Sequence, residues 1–182
     1  MKKKDLSISM LSANILSLAF ALPAAVLYIL LFTLRWDAAR FDAGVQGFVN
    51  NILVFLAVFI FGILAHELIH AAAWSAAAHL PLKTIRFGFQ IQTLTPYAHC
   101  PGPIPAAAYR LGALMPALIL GLLPALIALF TGSGWLLVFG LIFTIAAGGD
   151  MLILWTLRRV PGHALVEDHP TRAGCYWLED TP

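Results

Sequence analysis

Apolar residues fall into four long runs separated by short polar stretches. The first covers about Asn14–Leu34 and gives way to the polar segment Arg35–Gly47, which reads as a loop. The second starts near Phe48 and continues to about His79, where Pro81 closes it. It is longer than a bilayer requires, so its end is expected to project or bend. The third covers about Ala106–Phe130, with Pro116 and Pro124 expected to bend it. After the turn Thr131–Gly134 comes the fourth, about Trp135–Leu157. A bilayer-crossing helix needs about 20 mostly apolar residues, and each run reaches that length.

Between Leu82 and Pro105 the period changes. Ile85, Phe87, Phe89 and Ile91 alternate with Arg86, Gly88, Gln90 and Gln92, the pattern of a half-buried strand or hairpin. Pro96, Pro101, Pro103 and Pro105 then break regular structure. Irregular backbone is not tolerated against lipid, so this segment is expected to pack on protein or line a wet cavity. The tail Arg158–Pro182 is polar and offers one strand, and Asp168-His169-Pro170 within it reads as a turn. There is no internal repeat, and residues 1–182 read as one domain.

Composition fixes the solvent. The chain is 60% hydrophobic and 11% charged, with a mean hydropathy of +0.86. A soluble domain of this size could not bury that much apolar surface. The expected class is an α-helical integral membrane protein: four transmembrane helices, a short strand or hairpin after the second, and a short cytoplasmic tail. The first run is too long for a signal-peptide core and reads as an uncleaved span. A net charge of +2 gives no reason to expect nucleic acid as a partner. With the N-terminus in the cytoplasm, that side receives Lys2, Lys3, Lys4, Lys83, Arg86, Arg110, Arg158, Arg159 and Arg172, and only Arg35 and Arg40 face out. That bias places both termini in the cytoplasm. Trp36, Trp135 and Trp155 sit at span ends, as interfacial anchors do. The two cysteines, Cys100 and Cys175, form no CxxC pair and are expected to stay free thiols.

Three ionisable groups interrupt the second run in GILAHELIHAAAW, and in lipid such groups mark function. On a helix, His66 and His70 lie one turn apart on one face and can hold one metal ion together. Glu67 is offset by about 100° and is placed to meet a water rather than the metal, as a catalytic base must. A catalytic zinc needs a third protein ligand. Asp150 is the one acid within the apolar body of the fourth run. It lies about 12 Å of helix rise before Arg158, a depth close to that of His70 before Lys83. Gly148 and Gly149 beside it would let its helix approach the second closely. The bland reading of Asp150 is a helix–helix hydrogen bond or a partner for Arg110. Tyr97 and His99, in TPYAHC, fall in the segment expected to cover the site, as substrate contacts or oxyanion donors. Phe87, Phe89 and Ile91 are candidate substrate contacts if an extended peptide adds to their strand. His79 reads as an interfacial residue.

His66-Glu67-Leu-Ile-His70 early in the chain, with Asp150 in a later helix, resembles the site-2 class of intramembrane metalloproteases. The chain is still more similar to a family of small bacterial membrane proteins regarded as zincin peptidases. These share HExxH, a loop like TPYAHC, a helix with Gly-Asp and a tail like EDHPTRAG, and the similarity covers about Phe48 to Gly174. The resemblance implies a zinc-dependent peptidase of the bacterial inner (cytoplasmic) membrane acting on peptide bonds of membrane or membrane-associated proteins. Its Zn²⁺ would be held by His66, His70 and Asp150. The sequence departs from site-2 proteases in having glycine before rather than after the aspartate, and no asparagine beyond Asn51. Two other functions fit fewer features: a zinc-binding pseudoprotease that scaffolds membrane partners, and a metal transporter. A transporter needs polar residues along other spans, and the first and third offer almost none.

Overall fold

The computed structural model describes residues 2–92 and 94–179. After a short strand β1 (Lys2–Asp5), Ser9 caps α1 (Met10–Arg35) by accepting from the Ser12 N–H. Helix α1 buries Ala13, Ser17, Ala21 and Ala25, a stripe of small residues four apart. α2 (Ala38–Val49) follows, then α3 (Ile52–Ala77). A 3₁₀ turn (Leu82–Thr84) leads into the antiparallel hairpin β2 (Arg86–Gln90) and β3 (Thr95–His99). β4 (Pro103–Pro105) then opens a long helical stretch, α4 (Ala106–Pro116), a π-helical segment (Ala117–Leu122) and α5 (Leu123–Thr131). α6 (Gly134–Ala146) and α7 (Gly148–Thr156) precede β5 (Leu165–Asp168) and β6 (Cys175–Glu179).

Among the described residues, three helical stretches are long and apolar enough to cross a membrane: Met10–Arg35, Ile52–Ala77 and Ala106–Thr131. There are four if α6 and α7, bent by 42°, count as one. Their outer faces expose large apolar side chains, among them Leu27, Phe61, Leu64 and Leu126. A soluble monomer rarely leaves so much apolar surface in water. The π-helical segment falls between Pro116 and Pro124, the residues expected to bend this stretch.

Four sequence expectations are corrected. Arg35–Gly47 is no loop. Asp37 accepts from the Arg40 N–H and starts α2, whose Phe41, Gly44, Val45 and Phe48 turn inward. The second span therefore starts at Ile52, because Asn51 caps the Val54 N–H and separates the two helices. The fourth run is two helices broken at Ala147, where Ala-Gly-Gly offers little to hold a straight helix. Gly148 packs on Ser17 and Ala21 of α1 rather than drawing α7 onto α3, and Gly149 meets open space.

The tail forms two strands, and they join a four-stranded antiparallel sheet in the order β1-β6-β5-β4. Lys2–Asp5 pairs with Glu179–Tyr176, and Pro103–Pro105 with Glu167–Leu165. The sheet lies at the end of the helices where α1 begins. Between sheet and helices sits a core of Trp74, Ile85, Cys100, Tyr109, Val166 and Cys175. This core anchors the tail beneath the site described next.

Candidate metal centre

Helix α3 turns one stripe inward: Gly62, His66, His70 and Trp74, each four residues after the last. Both ends of the stripe are fixed by glycine. Gly62 makes room for the Phe143 ring of α6, and Gly112 of α4 makes room for the Trp74 indole; a β-carbon at either place would overlap the ring. Trp74 donates through Nε1 to the Tyr109 carbonyl at 3.1 Å and stacks on the His70 ring at 5.3 Å. Packing on both sides leaves the two imidazoles facing the interior.

The break before α7 places Asp150 in that helix's first turn, where helix amides favour a negative charge. Its Oδ2 lies 3.1 Å from His66 Nε2 and its Oδ1 lies 3.3 Å from His70 Nε2. The ligand atoms of His66, His70 and Asp150 all fall within 4.8 Å of one another. The three residues could hold a metal ion. Arg110, the alternative partner for Asp150, donates instead to the Leu157 carbonyl.

The donor chemistry fits a cation. His70 Nδ1 lies 2.9 Å from the Gly112 carbonyl, which accepts only if Nδ1 carries its proton. In the neutral ring the Nε2 lone pair then points at a carboxylate oxygen. Two acceptors 3.3 Å apart repel, and a cation between them removes the conflict. His66 Nδ1 is buried with no partner among the described residues, so only His70 has its tautomer set by the protein.

The group opens onto a cavity of about 310 Å³ whose wall includes Glu67, Tyr97 and His99. Glu67 is half-buried, and its carboxylate faces the backbone N–H of Ala98 in β3. Tyr97 folds its ring over Gly88 across the hairpin. Cross-strand register puts Arg86, Gly88 and Gln90 on the same face as His99, Tyr97 and Thr95, and Gln90, Thr95, Tyr97 and His99 line the cavity. The alternation of β2 was legible, but among its residues the polar Gln90 is the one that lines the cavity, whereas β3 lines it along its whole length. Phe87, Phe89 and Ile91 lie outside the cavity wall, 53%, 55% and 76% exposed. His79 is exposed and also outside it.

One half-buried carboxylate was read from the sequence only as part of a turn. Asp168, expected in a turn, ends β5, with Oδ2 2.9 Å from His99 Nδ1 and 3.2 Å from the Cys100 N–H. Its Oδ1 accepts from the Tyr109 hydroxyl at 2.7 Å. Nothing in the local sequence Glu167-Asp168-His169-Pro170 marks such a role, since all three partners lie elsewhere in the chain. The hydrogen bond to Asp168 raises the His99 pKa above the usual imidazole range, against the effect of burial. Burial, with the Asp168 charge adding, pushes the Cys100 thiol up to about 11 and the Cys175 thiol up to about 12. Both cysteines are free and buried, and neither is a reactive thiolate.

Fold and site together define a helical protein, with several helices fit to span a membrane, that gathers two histidines and an aspartate able to hold a metal. The chain belongs to the family described as "Putative zincin peptidase", whose profile matches residues 59–165, more than half of its length. The matched stretch contains His66, Glu67, His70, His99 and Asp150 and ends at Leu165, the first residue of β5. No curated protein and no solved structure matches the chain significantly. Family and site agree in pointing to a zinc metallopeptidase.

Proposed function

We propose that this protein is a zinc-dependent peptidase embedded in the membrane, with both termini in the cytoplasm, that hydrolyses peptide bonds of membrane or membrane-associated proteins. The observation that carries the reading is the meeting of His66, His70 and Asp150 at one end of a cavity that Glu67 also lines. Those three residues would hold Zn²⁺, which when bound supplies Lewis acidity toward water and toward the scissile carbonyl. The chain's own residues do the rest. Glu67 accepts a proton from the attacking water as the C–O bond forms, and returns it to the departing amine as the peptide C–N bond then breaks. The Gly112 carbonyl and the Trp74 ring keep His70 oriented. The cavity face of the hairpin is the wall along which an extended peptide would lie, so a helical substrate must unwind first.

Both reading and rival bind zinc; only the peptidase turns over. Purified wild type and Glu67→Gln are compared for metal content and for cleavage of candidate membrane proteins in liposomes. The expected result is equal zinc, near one per chain, and at least about 10²-fold slower cleavage by the variant. Equal zinc-dependent cleavage by both removes Glu67 from the mechanism. Zinc without cleavage in either favours a pseudoprotease scaffold.

A further inference from the structure

The same cavity is lined by a pair to which no role has been given so far, His99–Asp168. Asp168 is 11% and His99 20% exposed at the side chain, and both line the cavity that Glu67, His66 and His70 line. Asp168 engages His99 at Nδ1, so the ring's other nitrogen is the one left for a ligand, and Nε2 has no hydrogen-bond partner among the described residues. The carboxylate is itself held by the Tyr109 hydroxyl and the Cys100 N–H, donors from α4 and from the end of the hairpin. A surface latch would not need a half-buried acid with three donors. Such an arrangement fixes an imidazole in place in the cavity wall.

We propose that His99 donates from Nε2–H to the oxyanion that develops on the scissile carbonyl, and that Asp168 is the positioning residue that keeps His99 aimed and protonated for it. This rests on the peptidase reading and adds to it a donor for the oxyanion. The hydrogen bond forms as the carbonyl carbon becomes tetrahedral and is released when the C–N bond breaks; no proton leaves His99. Charge around the ring is mixed: Asp168 and Glu167 from β5 favour the imidazolium, Arg86 from β2 opposes it, and the neighbouring Cys100 stays neutral. The hydrogen bond to Asp168 decides the balance. Donors of this kind act where charge develops and contribute little to ground-state binding.

The test uses two probes on the zinc-loaded full chain in detergent: a peptidyl phosphinate, whose oxygens mimic the tetrahedral oxyanion, and a peptidyl hydroxamate of the same sequence, which binds chiefly through the metal. His99→Gln is expected to keep zinc content and hydroxamate affinity within about threefold and to weaken the phosphinate roughly 10²-fold. Asp168→Asn is expected to follow in the same direction by a smaller factor. His99→Asn, shorter still, should be no better than His99→Gln. Equal loss for both probes marks a merely structural contact and overturns the proposal, as does an unchanged phosphinate affinity. A zinc-loaded wild type that does not bind the phosphinate also overturns it. Failure of the wild type to take zinc at all would instead sink the peptidase reading, so the two failures are told apart.

Discussion

Gly112 serves two neighbours with one backbone position. Its carbonyl fixes the His70 tautomer, and its missing side chain admits the Trp74 indole that stacks on the same imidazole. Gly112→Ala forces a methyl into that ring, and overpacking of this sort costs about 1–3 kcal/mol. The expected outcome is a lower melting temperature and reduced zinc retention during dialysis against a chelator. Gly149→Ala, whose β-carbon would meet open space, is the control and should leave both unchanged. His99 carries a pH signature of its own. Its folded pKa is raised by Asp168, so the pair's contribution to stability is complete below the unfolded value of about 6.5 and is lost as pH rises through the folded one. Melting temperatures of wild type and His99→Gln, followed from about pH 5 to about pH 9, should therefore converge toward the alkaline end. A gap that stays constant, or widens, over that range would show that His99 does not titrate against Asp168. Tyr109→Phe removes one donor from Asp168 while keeping the ring stacked on Trp74. It should destabilise the fold by about 1–3 kcal/mol in denaturant titrations and leave zinc content intact.

At the scale of elements, what the sequence displayed depended on how local each determinant is. HELIH stands out because a four-residue spacing on one helix contains the geometry. The depth of Asp150 was legible from counting helix rise, although its closeness to α3 comes from the break at Ala147 and not from the glycines beside it. Helix α2 was hidden by its polarity. Phe41, Val45 and Phe48 recur at helical spacing, but Arg40, Asp42 and Gln46 around them outweigh the pattern, and packing on α6 is what holds it, with Gly44 against Gly134. The sheet could not be read from any single segment: β1, β4, β5 and β6 are each three to five residues long, and β1 finds its partner β6 at the far end of the chain. Asp168 shares that obscurity, since its partners lie on β3 and α4. The buried cysteines also change how membrane orientation should be measured. Cys100 and Cys175 are poor targets for maleimide from either side. Exposed positions Asp42→Cys and Lys83→Cys, introduced singly, place a thiol in α2 and in the turn after α3. An impermeant reagent applied to intact cells should label the first and spare the second; the reverse pattern would invert the topology.

For the whole molecule, a continuous set of contacts joins the two ends of the cavity. His70 stacks on Trp74, Trp74 on Tyr109, and Tyr109 donates to the carboxylate that holds His99. The metal ligands and the hairpin are thereby referred to one rigid body, though only a double-mutant cycle between Trp74 and His99 would measure their energetic coupling. The same architecture has a consequence in time. A ribosome delivers β1 first and its partner β6 more than a hundred and sixty residues later, with β5 and its Asp168 only shortly before. From the making of His70 until that of Asp150 the growing chain carries His66, Glu67 and His70 without the third ligand, and the acid that would steady His99 arrives later still. Under the peptidase reading, hydrolytic competence is the last property the chain acquires, and an unfinished copy in a crowded membrane is harmless to its neighbours.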